Sequence, residues 1–181
     1  MSLTYGILGF LSYGSMTGYD LAKAFGCSVN FFWNAQTSQI YRELGRMEGE
    51  GLVASELVLQ TQRPNKKLYS ITEKGRESFQ GWLSSQEGML HPMKNAFLMK
   101  IFFSGFRTPK ESIRMLQDYR HQLLESQEQM KAIPSDIEAY GRDMEAYPTI
   151  YWGMAADFGG RYMQMALDWA QACIDRLEAI R

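Results

Sequence analysis

Ser38, Arg42 and Arg46 recur every four residues in "TSQIYRELGRMEGEG", and the stretch "TQRPNKKLY" follows with Arg63, Asn65, Lys66 and Lys67. At about 100° per residue, Ile40, Leu44 and Met47 share one narrow apolar arc of a helix. Ser38, Arg42, Gly45 and Arg46 fall opposite that arc. Gln39 and Tyr41 flank the outer side, Thr37 opens it, and Glu43 and Glu48 sit nearer the core edges. Two guanidinium groups and a hydroxyl on a face without carboxylates suit phosphates and base edges. The plain alternative is a solvated face that happens to hold two arginines. The basic stretch has its own alternative, a hairpin whose edge is guarded by lysine and proline. Side by side, helix and hairpin favour phosphate contact by Thr37, Ser38, Gln39, Tyr41, Arg42, Arg46, Arg63, Asn65, Lys66 and Lys67.

Other chemistry has little to work with. His91 and His121 are the only histidines, and Cys27 and Cys173 the only cysteines. None stands at metal-ligand spacing from another. There is no glycine-rich phosphate loop and no nucleophile elbow, and Gly159-Gly160 reads as a close-packing or bend site. We therefore expect no catalysis, no metal and no cofactor.

The chain has 181 residues, 19 basic and 20 acidic, for a net charge of -1. That balance argues against a polycation coating nucleic acid. The positive charge is local: residues 57–76 hold five basic side chains against one acid, whereas residues 86–181 hold 11 against 13. A small binding face fits this distribution. No apolar run approaches the roughly 18–20 residues that cross a bilayer. The opening residues lack the charge and cleavage site of a signal peptide, so cytoplasm is the expected compartment.

The elements that must hold these side chains fall into two groups. Leu3, Ile7, Leu8 and Leu11 predict a helix over 3–13, and Thr17 with Asp20 starts a second that Gly26 ends. A third runs from about Thr37 to Glu50, closed by Gly51. Leu52–Gln60 and Lys67–Ile71 alternate as strands, and Thr72 caps a fourth helix carrying Phe79, Trp82 and Leu83. Three helices, a strand, a basic turn, a strand and a helix make the layout of a winged helix-turn-helix.

Past "SSQEGMLHPM" the chain turns helical throughout. Residues 93–105 predict an amphipathic segment (Phe97, Leu98, Ile101, Phe102). "TPKES" predicts a helix start, with Thr108 as N-cap, Pro109 first and Glu111 capping back; Pro134 ends that helix. A short helix stopped by Pro148 comes next. The last helix sets Tyr151, Met154, Phe158, Met165, Trp169, Ala172, Arg176 and Ile180 in steps of three and four, a stripe suited to packing along another helix. We expect a mainly α protein: a winged helix-turn-helix over 1–85 (three to four helices and a two-stranded wing), a linker over 86–92, and an α-helical dimerisation domain over 93–181. Leu116, Leu123, Met154, Phe158, Tyr162, Met165 and Trp169 are the expected dimerisation residues. Most of the aromatics read first as core or dimer seam, and Phe31, Trp33, Tyr151 and Trp152 are the ones that could instead line a pocket for a small apolar effector.

The sequence resembles the PadR family of bacterial transcription regulators, in its longer form with a helical C-terminal domain. The likeness lies in "ILGFLSYGSMTGYDLAKAF", with Gly18, Tyr19, Asp20 and Leu21; in "FFW" followed by "SQIYRELGRMEGEGLV"; in "KKLYSITEKG"; and in "NAFLMKIFFSG" with "TPKESIRMLQDYRHQL". It implies a homodimeric repressor or activator on a pseudo-palindromic DNA operator, with Tyr41, Arg63, Lys66 and Lys67 touching the duplex. Some relatives take phenolic or drug-like effectors. Gln36 stands where many relatives have a small capping residue, and Arg42 where many have proline. The rival reading is a winged-helix adaptor that docks a protein and not DNA.

Overall fold

The computed structural model describes residues 2–30, 32–59, 65–86, 94–141 and 146–180. The chain divides into two compact units, Met1–Leu90 and His91–Arg181.

The first unit begins with α1 (Ser2–Tyr13), β1 (Met16–Thr17), α2 (Gly18–Ser28) and α3 (Thr37–Gly49). β2 (Val53–Val58), β3 (Lys66–Ile71) and α4 (Glu73–Leu83) complete it. The sheet is antiparallel in the order β1-β3-β2, with Met16 opposite Tyr69 and Val53 opposite Ile71. Its core joins Ile7, Leu8 and Leu11 of α1 to Leu21 and Phe25 of α2, Ile40, Leu44 and Met47 of α3, and Leu52, Val53, Tyr69 and Ile71.

Local signals explain most boundaries. The Asp20 amide donates to Thr17 Oγ1 at 3.1 Å and the Asp20 carboxylate accepts from the Thr17 amide, a reciprocal cap that starts α2. Gly51 takes φ +71°, the left-handed geometry that ends a helix without a Cβ clash. Thr72 caps α4 through the Gly75 amide. Gly26, read as a stop, lies inside α2 instead: a lone glycine costs a helix only about 1 kcal/mol, and Phe25 packing outweighs that. The two-residue β1 carries no sequence signal, because its pairing to β3 is wholly non-local. The wing runs past the core, so Leu57, Val58 and Leu59 are exposed despite their alternation.

The second unit contains α5 (Ala96–Phe102), a 3-10 turn (Ser104–Phe106), α6 (Pro109–Met130), α7 (Ile133–Gly141) and α8 (Ala146–Glu178). Thr108 and Glu111 cap α6 reciprocally with Pro109 at its first position, as expected. Leu116 packs with Ala170 and Ile174, and Leu123 with Ala166 and Leu167, so α6 and α8 run antiparallel. Phe97, Tyr119 and Trp169 form an aromatic cluster beside them, with Phe97 and Tyr119 stacked at 4.0 Å. Among the described residues no helix is long and apolar enough to cross a membrane.

Three expectations change here. Pro134 lies in the first turn of α7, and Pro148 in the first turn of α8. Both prolines stand where the missing N–H would have had no helical partner. Leu116 and Leu123, expected at a dimer seam, are buried inside the chain, 1% and 7% exposed, where they pack α6 on α8. The stripe of Tyr151, Met154, Phe158, Met165 and Ile180 is exposed, while α8 packs on α6 through Ala166, Leu167, Ala170 and Ile174. Small alanines let two helices approach closely, and the bulky stripe does not.

Candidate nucleic-acid interface

The α3 helix is clamped by three side chains that are fully buried, Ile40, Leu44 and Met47. That clamp fixes which side faces out. Thr37, Ser38, Gln39, Tyr41, Arg42, Gly45 and Arg46 are all exposed, with Glu43 and Glu48 half-buried at the edges. At the helix start the Gln36 amide donates to Gln39 Oε1 at 3.0 Å, so the Gln39 carbonyl is occupied in capping.

The cations on this face differ in their surroundings. Arg42 makes no ion pair with any described residue. Arg46 turns along the helix, with its Nε and Nη2 on the two oxygens of Glu43 at 3.1 and 2.6 Å. Its Nη1 meets Glu50, and Nη2 also donates to Thr4 Oγ1 at 3.0 Å. Hydrogen bonding to Arg46 is the largest cause holding the Glu43 carboxyl below its ordinary value, and the same pairing raises Arg46 above its own. The outer face is thus less free of carboxylates than the helical angles imply, because long Glu side chains at the edges reach Arg46 from i-3 and i+4. That spacing was readable in the sequence; Thr4, on another helix, was not.

In the wing, Lys66 is exposed and Val58 pairs with it across the strands. Lys67 Nζ meets Glu48 Oε2 at 2.7 Å, and the Ser55 hydroxyl donates to Glu48 Oε1 at 2.5 Å. Hydrogen bonding to Lys67 lowers the Glu48 carboxyl. Glu48 therefore ties α3 to both strands of the wing. Lys74 Nζ donates to the Glu50 carbonyl at 2.7 Å and caps the end of α3. Asn65 is exposed at the start of the return strand, and Arg63 lies outside the described residues. The Lys67–Glu48 pair, more exposed than Arg46–Glu43, contributes little to stability.

Residues 7–81 match the Transcriptional regulator PadR-like family, and residues 93–178 match the Virulence activator alpha C-term family. The chain thus carries a PadR-like domain followed by a Virulence activator alpha C-term domain. The Negative transcriptional regulator PadR of Bacillus subtilis is 31% identical over 116 residues, which are 64% of this chain and 64% of that protein's length. The Bacillus subtilis PadR structure solved in complex with operator DNA superposes at TM-score 0.84 with 22% identity, over 98% of this chain and 99% of that one. The same protein solved with p-coumaric acid gives 0.76 at 22% identity, over 97% and 95%. The Vibrio cholerae virulence activator AphA gives 0.62 at 27% identity, over 99% of each chain. The chain is mainly α, with a winged helix-turn-helix made of α2, α3 and the β2–β3 wing.

The remaining expected positions fall on both units. Phe31 lies outside the described residues, and Trp33 is exposed after α2 in the first unit. Tyr151 and Trp152 stand near the start of α8 in the second. A shallow charged hollow on the second unit, lined by Lys100, Phe103, Arg107, Glu111, Arg114, Met115 and Asp118, contains none of these four. Of the dimerisation set, Met154, Phe158, Tyr162 and Met165 are exposed, and Trp169 packs against the α6–α8 core. Among the described residues no three or more His, Cys, Asp or Glu side chains gather as metal ligands would. His121 is exposed beside Glu125 on α6.

Proposed function

We propose that this chain is a dimeric, sequence-specific DNA-binding regulator, acting as a repressor. The observation that carries the reading is the exposed α3 face, on which Arg42 has no ion pair among the described residues. Ser38 and Tyr41 flank it there, and the lysine-bearing wing follows. Arg42 is the group with the geometry to read a guanine edge bidentately in the major groove. Tyr41, Ser38, Lys66 and Lys67 supply phosphate contacts that fix the register. A two-fold pair of such units sets its α3 helices about 34–36 Å apart, one turn of DNA, and so selects a pseudo-palindrome. The complex of Bacillus subtilis PadR with operator DNA supports this reading. Its complex with p-coumaric acid supports a small phenolic effector, which would act by favouring a dimer geometry that misplaces the two helices.

The test is the affinity of Arg42→Ala/Lys66→Ala/Lys67→Ala for a fragment of its own upstream region. We expect weaker binding and a salt slope shallower by about 0.9 for each phosphate that is no longer neutralised. Binding as tight as the parent's at about 150 mM salt would remove this face from the DNA role. Absence of salt-dependent binding to any genomic fragment would instead favour a protein-docking adaptor.

A further inference from the structure

Gly18 opens α2 directly after its N-cap, and it is buried. The helix itself gives no reason for glycine there: alanine is the better helix former, and the Thr17–Asp20 cap already supplies the start. The neighbouring ring does. A Cβ at position 18 would stand 2.5 Å from Tyr41 Cε1, 2.8 Å from Cζ and 3.1 Å from Cδ1. Real Cβ contacts essentially never fall below 3.0 Å. The ring of Tyr41 therefore lies flush on the backbone of Gly18, while the residue as a whole remains 49% exposed. No hydrogen bond to a described residue holds the Tyr41 hydroxyl, so packing decides where that hydroxyl points.

We propose that Gly18 is a positioning residue for DNA contact: its bare backbone seats the Tyr41 ring and so fixes where the Tyr41 hydroxyl meets a phosphate. This rests on the DNA-binding reading above. The seat joins the first helix of the helix-turn-helix to the second where the Tyr41 ring passes from α3 to the outer face. Any side chain at position 18 swings the ring away, because the atoms it meets belong to the far end of a rotatable side chain and not to backbone. The fold then survives, and the phosphate loses its hydroxyl partner.

The experiment is a cycle of Gly18→Ala, Tyr41→Phe and the pair, measured by affinity for an inverted repeat from the upstream region. Each single change is expected to weaken binding about a hundredfold, because the dimer loses one hydrogen bond to a charged group, worth about tenfold, in each subunit. The double variant is expected to bind like Tyr41→Phe alone. Parental affinity for Gly18→Ala, or a further loss of the same size in the double variant, overturns the inference while leaving the DNA role standing. A parent that binds no DNA overturns both. A readout without DNA comes from ring signals of isotope-labelled tyrosines. Gly18→Ala should shift those of Tyr41, and unmoved signals overturn the seat. If Gly18→Ala lowers the melting temperature, the Tyr41→Ala background should restore it, since removing the ring removes the clash; no restoration also overturns the seat.

Discussion

At Gly75 the close approach of two backbones leaves no room for a side chain. A Cβ there would lie 2.2 Å from the Leu52 carbonyl oxygen and 2.9 Å from Ile71 Cγ1. Unlike the ring at Gly18, a backbone carbonyl in the core cannot swing aside. Gly75→Ala should destabilise the first unit by about 1–3 kcal/mol through overpacking, as read by urea unfolding. Titration acts at the same scale. Hydrogen bonding to Arg46 depresses Glu43, and hydrogen bonding to Thr108 depresses Glu111, below the ordinary value of 4.5. A depressed carboxyl binds its proton more weakly in the folded chain than in the unfolded one. Its stabilisation is therefore present above the unfolded value and is lost as pH falls through the folded one. Unfolding free energy should decline as pH falls below about 5 and through the depressed folded values, with a shallower decline in Glu43→Gln and Glu111→Gln.

Between elements, two joints carry the architecture. The α6–α8 pairing rests on Leu116, 1% exposed, against Ala170 and Ile174. Leu116→Ala should cost the second unit about 2–5 kcal/mol, and the check is a melting transition that shifts for that unit's helices. The α3–wing joint rests on Glu48, which accepts from Ser55 and meets Lys67. Glu48→Gln keeps an acceptor for Ser55 and releases Lys67 from its ion pair. We expect tighter DNA binding at low salt and a steeper salt slope, measured by titration at several ionic strengths. Unchanged binding would mean that Lys67 stays clear of phosphate.

At the scale of the whole molecule, the exposed α8 stripe sets the question of a second copy. Met154, Phe158 and Met165 are each more than half exposed, a run of bulky apolar side chains on one helix. Such a contiguous patch marks an interaction surface more often than a solvated one. Phe158→Glu should leave the helical content unchanged and shift the mass in solution from dimer to monomer. The check is light scattering on the purified chain, together with loss of operator affinity.

Much of this protein was written in short-range spacing. The Thr17–Asp20 and Thr108–Glu111 caps, Gly51 at the end of α3, and the arc of Ile40, Leu44 and Met47 are local facts, and local energetics enforce them. The family likeness followed from the same stretches. What the sequence left open is whatever depends on partners distant along the chain. Periodicity marked the bulky stripe on α8 but not which side α6 takes, because only the small alanines allow the close approach. Helical angles put Arg46 outside but not against Thr4, and they gave no hint that Tyr41 rests on Gly18. Those last two pairings join residues 42 and 23 positions apart, and only the folded chain brings them within hydrogen-bond or van der Waals reach.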